Sequence, residues 1–153
     1  MMEANRNGNN HKTFTRRLNF SLALCLGGFF IFLLGADPGL FGLDRSSLIG
    51  FVQTATFSTG LALLCLGGFI SLKICQRADQ TQSLAQDIGI RLVATGYLVA
   101  LISGMADVFG FGTQAFPAPA FFGPTQAVGV VIGEFIIAVG FLVYMPFFTG
   151  DSA

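Results

Sequence analysis

Few residues in this sequence could do chemistry, and the most conspicuous is an acid inside an apolar run. Residues 129–141 read GVVIGEFIIAVGF, with Glu134 as the only ionisable side chain. A charged carboxylate at the centre of a bilayer costs at least about 2.5–3.5 kcal/mol, so it must face protein and find partners, or carry its proton. Counting at 1.5 Å per residue from position 125 puts Glu134 about 13 Å below one membrane boundary. The same arithmetic places Thr56, Thr59 and Tyr97 at comparable depth on other apolar stretches, with Gln53 nearer the boundary. A hydrogen-bonded cluster of Glu134, Gln53, Thr56 and Tyr97 is therefore expected. Two roles are open to it. In one, Glu134 binds a proton or cation. In the other, a neutral Glu134 fastens the fourth helix to the second or third. The second is preferred, because a transport path ordinarily needs several ionisable groups and repeated or broken helices.

Other chemistries lack their residues. The single histidine, His11, lies in a polar N-terminal stretch, so neither a bis-histidine haem nor the usual zinc spacing can be assembled. Cys25, Cys65 and Cys75 form no CxxC pair, and the first two fall within apolar runs, where cysteine acts as a small hydrophobe. There is no phosphate loop, nucleophile elbow or basic nucleic-acid surface. No catalytic residue, cofactor or metal ligand is assigned, and no nucleic-acid partner is expected.

The elements that must position Glu134 are legible from composition. Of the 153 residues, 53% are hydrophobic and 10% are charged, and mean hydropathy is +0.71. Soluble domains carry roughly 25% charged residues. The apolar residues form four blocks, at about 18–35, 48–72, 89–108 and 125–148. Each is long enough to cross a hydrocarbon core of about 30 Å as a helix. Backbone groups in lipid must bond within their own segment, which selects helices, and barrel strands would show alternation instead. The expected fold is all-α, an integral membrane four-helix bundle filling residues 18–148. A disordered tail is expected over 1–17 and a short C-terminus over 149–153.

Net charge is zero but unevenly placed. Arg6, Lys12, Arg16, Arg17, Lys73, Arg77 and Arg91 lie on one side of the spans, against Arg45 alone on the other. Cations collect on the cytoplasmic side, which puts both termini in the cytoplasm of a bacterial inner membrane. The first block is expected to be a retained helix, since its apolar run exceeds a typical signal core and Leu34 and Ala36 make a poor cleavage site. On the opposite side, Asp107 and Arg45 could form a weak ion pair, and residues 107–124 combine three prolines with five phenylalanines, among them Phe121 and Phe122. Such a loop is expected to lie in the membrane interface, meet a partner or cap a cavity.

Glycine supplies the packing signal, with 20 residues in the chain. Gly129 and Gly133 form GxxxG with Gly140 two turns on, Gly96, Ala100 and Ser103 form a stripe, and Gly27 and Gly28 interrupt the first span. Small residues let helices approach where lipid removes any hydrophobic preference between them. Packing within one molecule is favoured over homodimerisation. The repeated words LALCLGGF (22–29) and LALLCLGGF (61–69) are attributed to shared helix vocabulary.

The segments GLFGLDRSSLIGFVQ (39–53), GIRLVATGYLVALISGMADVFGFG (89–112) and GPTQAVGVVIGE (123–134) resemble a group of small bacterial four-span membrane proteins. The resemblance implies the same layout and carries no activity or site residue with it. The expected function is that of a non-enzymatic structural or accessory subunit, with the bilayer and a membrane protein or a second copy as partners. The alternative is a small transporter, or an ion- or ligand-binding protein, using Glu134.

Overall fold

A computed structural model describes residues 2–42, 49–75, 83–106 and 123–145. Its elements are α1 (Met2–Ala36), a 3₁₀ turn (Pro38–Phe41), α2 (Ile49–Cys75), α3 (Leu84–Gly104) and α4 (Pro124–Tyr144), with no strand among the described residues. Four helices are long and apolar enough to span a membrane, over Thr13–Ala36, Val52–Cys75, Leu84–Gly104 and Pro124–Tyr144.

Local sequence sets the helix ends. Asp37 stops α1: its carboxylate accepts from the Gly39 N–H at 3.0 Å, and Gly42 follows with φ +66°. α3 begins with a capping box in which the Ser83 hydroxyl accepts from the Ala85 N–H and the Gln86 side chain accepts from the Ser83 N–H, each at 3.2 Å. In α4, Pro124 fills the first turn and Gln126 reaches back to accept from the Gly123 N–H at 2.9 Å. Gln86 and Gln126 are both buried, and each spends its carbonyl on a helix end.

Two expectations about extent change. The segment 2–17, expected to be a disordered tail, continues α1. Nothing in it breaks a helix apart from Gly8, and extending a formed helix is far easier than nucleating one. α3 runs from 84 to 104 rather than from 89 to 108, because its capping box lies inside the stretch that reads as a polar connector.

Packing is uneven. α1 lies along α2 from Ser21 to Gly35 and α3 along α4 from Gly89 to Ser103, whereas α2 and α3 meet much less extensively. Both close pairs are antiparallel hairpins zipped by small residues. On α1 the seam is Ser21, Cys25, Gly28, Phe32 and Gly35. It faces Ser71, Gly67, Leu64, Gly60 and Phe57 of α2. A Cβ on Gly28 would come within 2.7 Å of the Leu64 nitrogen, so backbone packs directly on backbone. At one end Ser71 donates to Ser21 at 2.9 Å, and the Cys25 thiol donates to the Leu64 carbonyl at 3.7 Å. The α3–α4 seam sets Gly89, Val93, Gly96, Ala100 and Ser103 against Tyr144, Gly140, Ile137, Gly133 and Gly129. Steps alternate between three and four residues along α1, α2 and α3, the 3.5-residue period of left-handed coils, while α4 takes two successive steps of four.

The GxxxG motif of α4 thus packs within the molecule. Gly133 would bring a Cβ to 2.6 Å from both the Ala100 nitrogen and the Gly96 oxygen, and Gly129 abuts Ser103. Gly140 meets Val93, and Gly28 meets α2. Gly27 does not belong with them, since nothing lies within 4 Å of its missing Cβ. Between the hairpins, Leu61 and Cys65 of α2 join Ala100 of α3 and Ile137 of α4 in a small core. Gly68 receives the Phe141 ring, and Thr54 touches Gly104.

Candidate functional site

Where the hairpins part, a cleft of about 240 Å³ opens between α1, α2 and α4. Gly35 and Ala36 come from the end of α1, Gln53, Thr54 and Phe57 from the start of α2, and Ala127, Val130, Val131 and Glu134 from α4. Helical spacing explains the α4 wall: 127, 130, 131 and 134 recur every three or four residues and form one stripe. That stripe flanks the seam formed by Gly129, Gly133 and Ile137. One residue past Gly133, Glu134 is turned about 100° away from the α3 contact.

Glu134 is the eleventh residue of the 21-residue α4, so its carboxyl group sits at mid-span. It is half-buried and makes no hydrogen bond or ion pair among the described residues. Gln53 and Thr54 supply the other polar side chains of the cleft, near the end of α2 where the span begins. The cleft therefore leads from the start of the α2 span, at Gln53, to the carboxyl at the middle of α4.

Of the expected cluster, the structure brings Glu134 and Gln53 to one cleft and sends the other two elsewhere. The Thr56 hydroxyl donates to the Val52 carbonyl of its own helix at 2.8 Å, as Thr59 does to Ala55. Tyr97 lies at a similar depth but lines a second groove with Cys65, Phe69, Phe141 and Tyr144. No hydrogen bond from Glu134 clasps α4 to α2 or α3 among the described residues. Thr54 is the wall residue that depth alone did not single out. Its position beside Gln53 was the available signal, since adjacent residues at a helix start can flank one opening. Asp107, Arg45, Phe121 and Phe122 lie outside the described residues.

Elsewhere among the described residues, the Ser58 and Tyr144 hydroxyls are buried without a hydrogen-bond partner. Asp87 and Arg91 form an exposed i,i+4 ion pair at 2.9 Å. Among the described residues no three His, Cys, Asp or Glu side chains gather in a way that could hold a metal. The cleft is lined by one carboxyl group, one amide and one hydroxyl in apolar surroundings. That set suits binding and hydrogen bonding. The chain matches no protein-family model, no curated protein and no solved structure.

Proposed function

We propose that this chain is a non-enzymatic accessory protein of a membrane assembly, and that the Glu134 cleft receives a polar group of a partner helix. One observation carries the proposal: a mid-span carboxyl with no hydrogen bond among the described residues opens into a cleft between two hairpins. A polar group at that depth is costly without a partner, so a donor arriving from outside the chain would relieve it. The apolar walls around it, Phe57, Val130 and Val131, provide the packing surface such a helix needs. The seven cations at the end of the spans opposite the cleft support cytoplasmic termini in a bacterial inner membrane. The cleft then faces the outer leaflet.

Extraction of the native membrane in mild detergent, followed by mass spectrometry of co-migrating proteins, tests this. A stoichiometric partner lost on Glu134→Ala, with the protein still folded, is the expected result. A free monomer or a homodimer, unchanged by the substitution, overturns it.

A second reading is favoured by the continuity of the cleft from Gln53 at the start of the α2 span to Glu134 at mid-span. It makes the chain a small ion- or ligand-binding protein or transporter. Glu134→Gln should then abolish pH-dependent uptake into vesicles without lowering the amount of folded protein, and uptake retained by the mutant excludes it.

A further inference from the structure

The second groove lies between α2, α3 and α4, away from Glu134, and is the larger at about 360 Å³. It runs along Ala62, Cys65 and Phe69 of α2 and along Ile90, Ala94 and Tyr97 of α3, with Phe141 and Tyr144 as its floor. Seven residues on each of α2 and α3 make it about 10 Å long, parallel to the spans. Its lining is almost wholly apolar, and no carboxylate contributes to it. The groove exists because the hairpins touch only along part of α2 and α3, so direct helix packing does not fill it.

What distinguishes it from any other furrow on a membrane protein is the charge at one end. Lys73 is exposed on the last turn of α2, and its ammonium lies 5.7 Å from the centre of the Phe69 ring, which forms the groove wall. Phe69 in turn meets Tyr144 edge to face at 5.9 Å. The nearest described acid in sequence on α3, Asp87, is already paired with Arg91. Arg16 and Arg17 of α1 stand at this end of the spans too. Beneath the groove the Tyr144 hydroxyl is buried and makes no hydrogen bond among the described residues.

We propose that this groove holds one acyl chain of an anionic phospholipid whose phosphate rests on Lys73. The aromatic wall packs the first half of the chain, and the ammonium at its mouth selects the head group. A cation at the cytoplasmic membrane surface favours an anionic lipid by about fivefold per residue. This site is separate from the Glu134 cleft and does not depend on the partner assigned there.

The test is native mass spectrometry of the full chain in detergent, supplied with phosphatidylglycerol or with phosphatidylcholine of identical acyl chains. One phosphatidylglycerol should be retained per chain, about fivefold more tightly than phosphatidylcholine. Lys73→Ala should remove the preference while leaving weak retention of both lipids, and Lys73→Arg should restore it. Ala94→Phe, which places a ring at the exposed rim, should weaken retention of both. Equal retention of the two lipids by the unmodified chain overturns the proposal, as does a preference that survives Lys73→Ala. Unchanged retention in a folded Ala94→Phe protein does the same, and should that variant not fold, the Lys73 pair decides alone. A dimer that excludes added lipid would assign the groove to a second copy and likewise overturn it.

Discussion

Gly133→Ala and Gly27→Ala make the same chemical change in two apolar helices and should move stability in opposite directions. At Gly133 a Cβ would stand 2.6 Å from the Ala100 nitrogen and 2.6 Å from the Gly96 oxygen, both backbone atoms that cannot rotate aside. Ordinary contact begins near 3.5 Å, so α3 and α4 must separate by about 1 Å around this position. Overpacking of this kind costs about 1–3 kcal/mol. Alanine recovers about 1 kcal/mol of that through helix propensity, leaving a net loss of up to about 2 kcal/mol. At Gly27 nothing lies within 4 Å, so only the propensity gain remains, at most about 1 kcal/mol. The assay is thermal unfolding in detergent followed by a thiol-reactive dye, in a Cys75→Ser background that removes the exposed thiol and leaves buried Cys65 and half-buried Cys25 to report opening. Gly133→Ala should melt below the parent and Gly27→Ala at or above it. If the two variants melt together, or Gly133→Ala is the more stable, the backbone-on-backbone seam is refuted.

Other outcomes follow from the same geometry. Without denaturation, alkylation should proceed in the order Cys75, Cys25, Cys65, since these thiols are exposed, half-buried and buried, and mass spectrometry of timed samples reads it. The Ser71–Ser21 hydrogen bond should give a coupling energy of about 0.6 kcal/mol, and no more than about 1.7, in a double-mutant cycle of Ser→Ala changes. Ser83→Ala should lower stability by about 1 kcal/mol through loss of the α3 cap, with Ser83→Asp largely restoring it.

How much of this was readable beforehand divides along a physical line. Span number and approximate limits follow from length and hydropathy, because a bilayer imposes both. Small-residue stripes were equally legible: Gly96, Ala100, Gly133 and Gly140 are in the seam the sequence pointed to. Depth along a helix could be counted, and Glu134 and Tyr97 do lie at similar levels. Azimuth could not be counted, because it depends on which helix each one packs against. Thus Tyr97 and Glu134 share a level and line different openings, and Gly27 and Gly28 are neighbours of which only one is in the seam. Thr56 needed no partner because the carbonyl one turn back already accepted its proton. The start of α3 was written in the sequence as Ser83-x-x-Gln86, a capping signature concealed by the glutamine-rich stretch around it.

The two zipped seams also bear on how the chain comes to be built. Each joins helices adjacent in sequence, so the residues that must meet are separated by one connection and two spans at most. Loop closure of that kind is quick and carries little entropic penalty. The first hairpin can lock into register while the second is still being synthesised, with Ser21 and Ser71 meeting at the open end of the pair. The later joining of hairpin to hairpin forms both the cleft and the groove. Synthesised as two fragments divided within 76–82, the chain should therefore reassemble in the membrane, with each fragment bringing its own internal seam and the sites arising only when they meet.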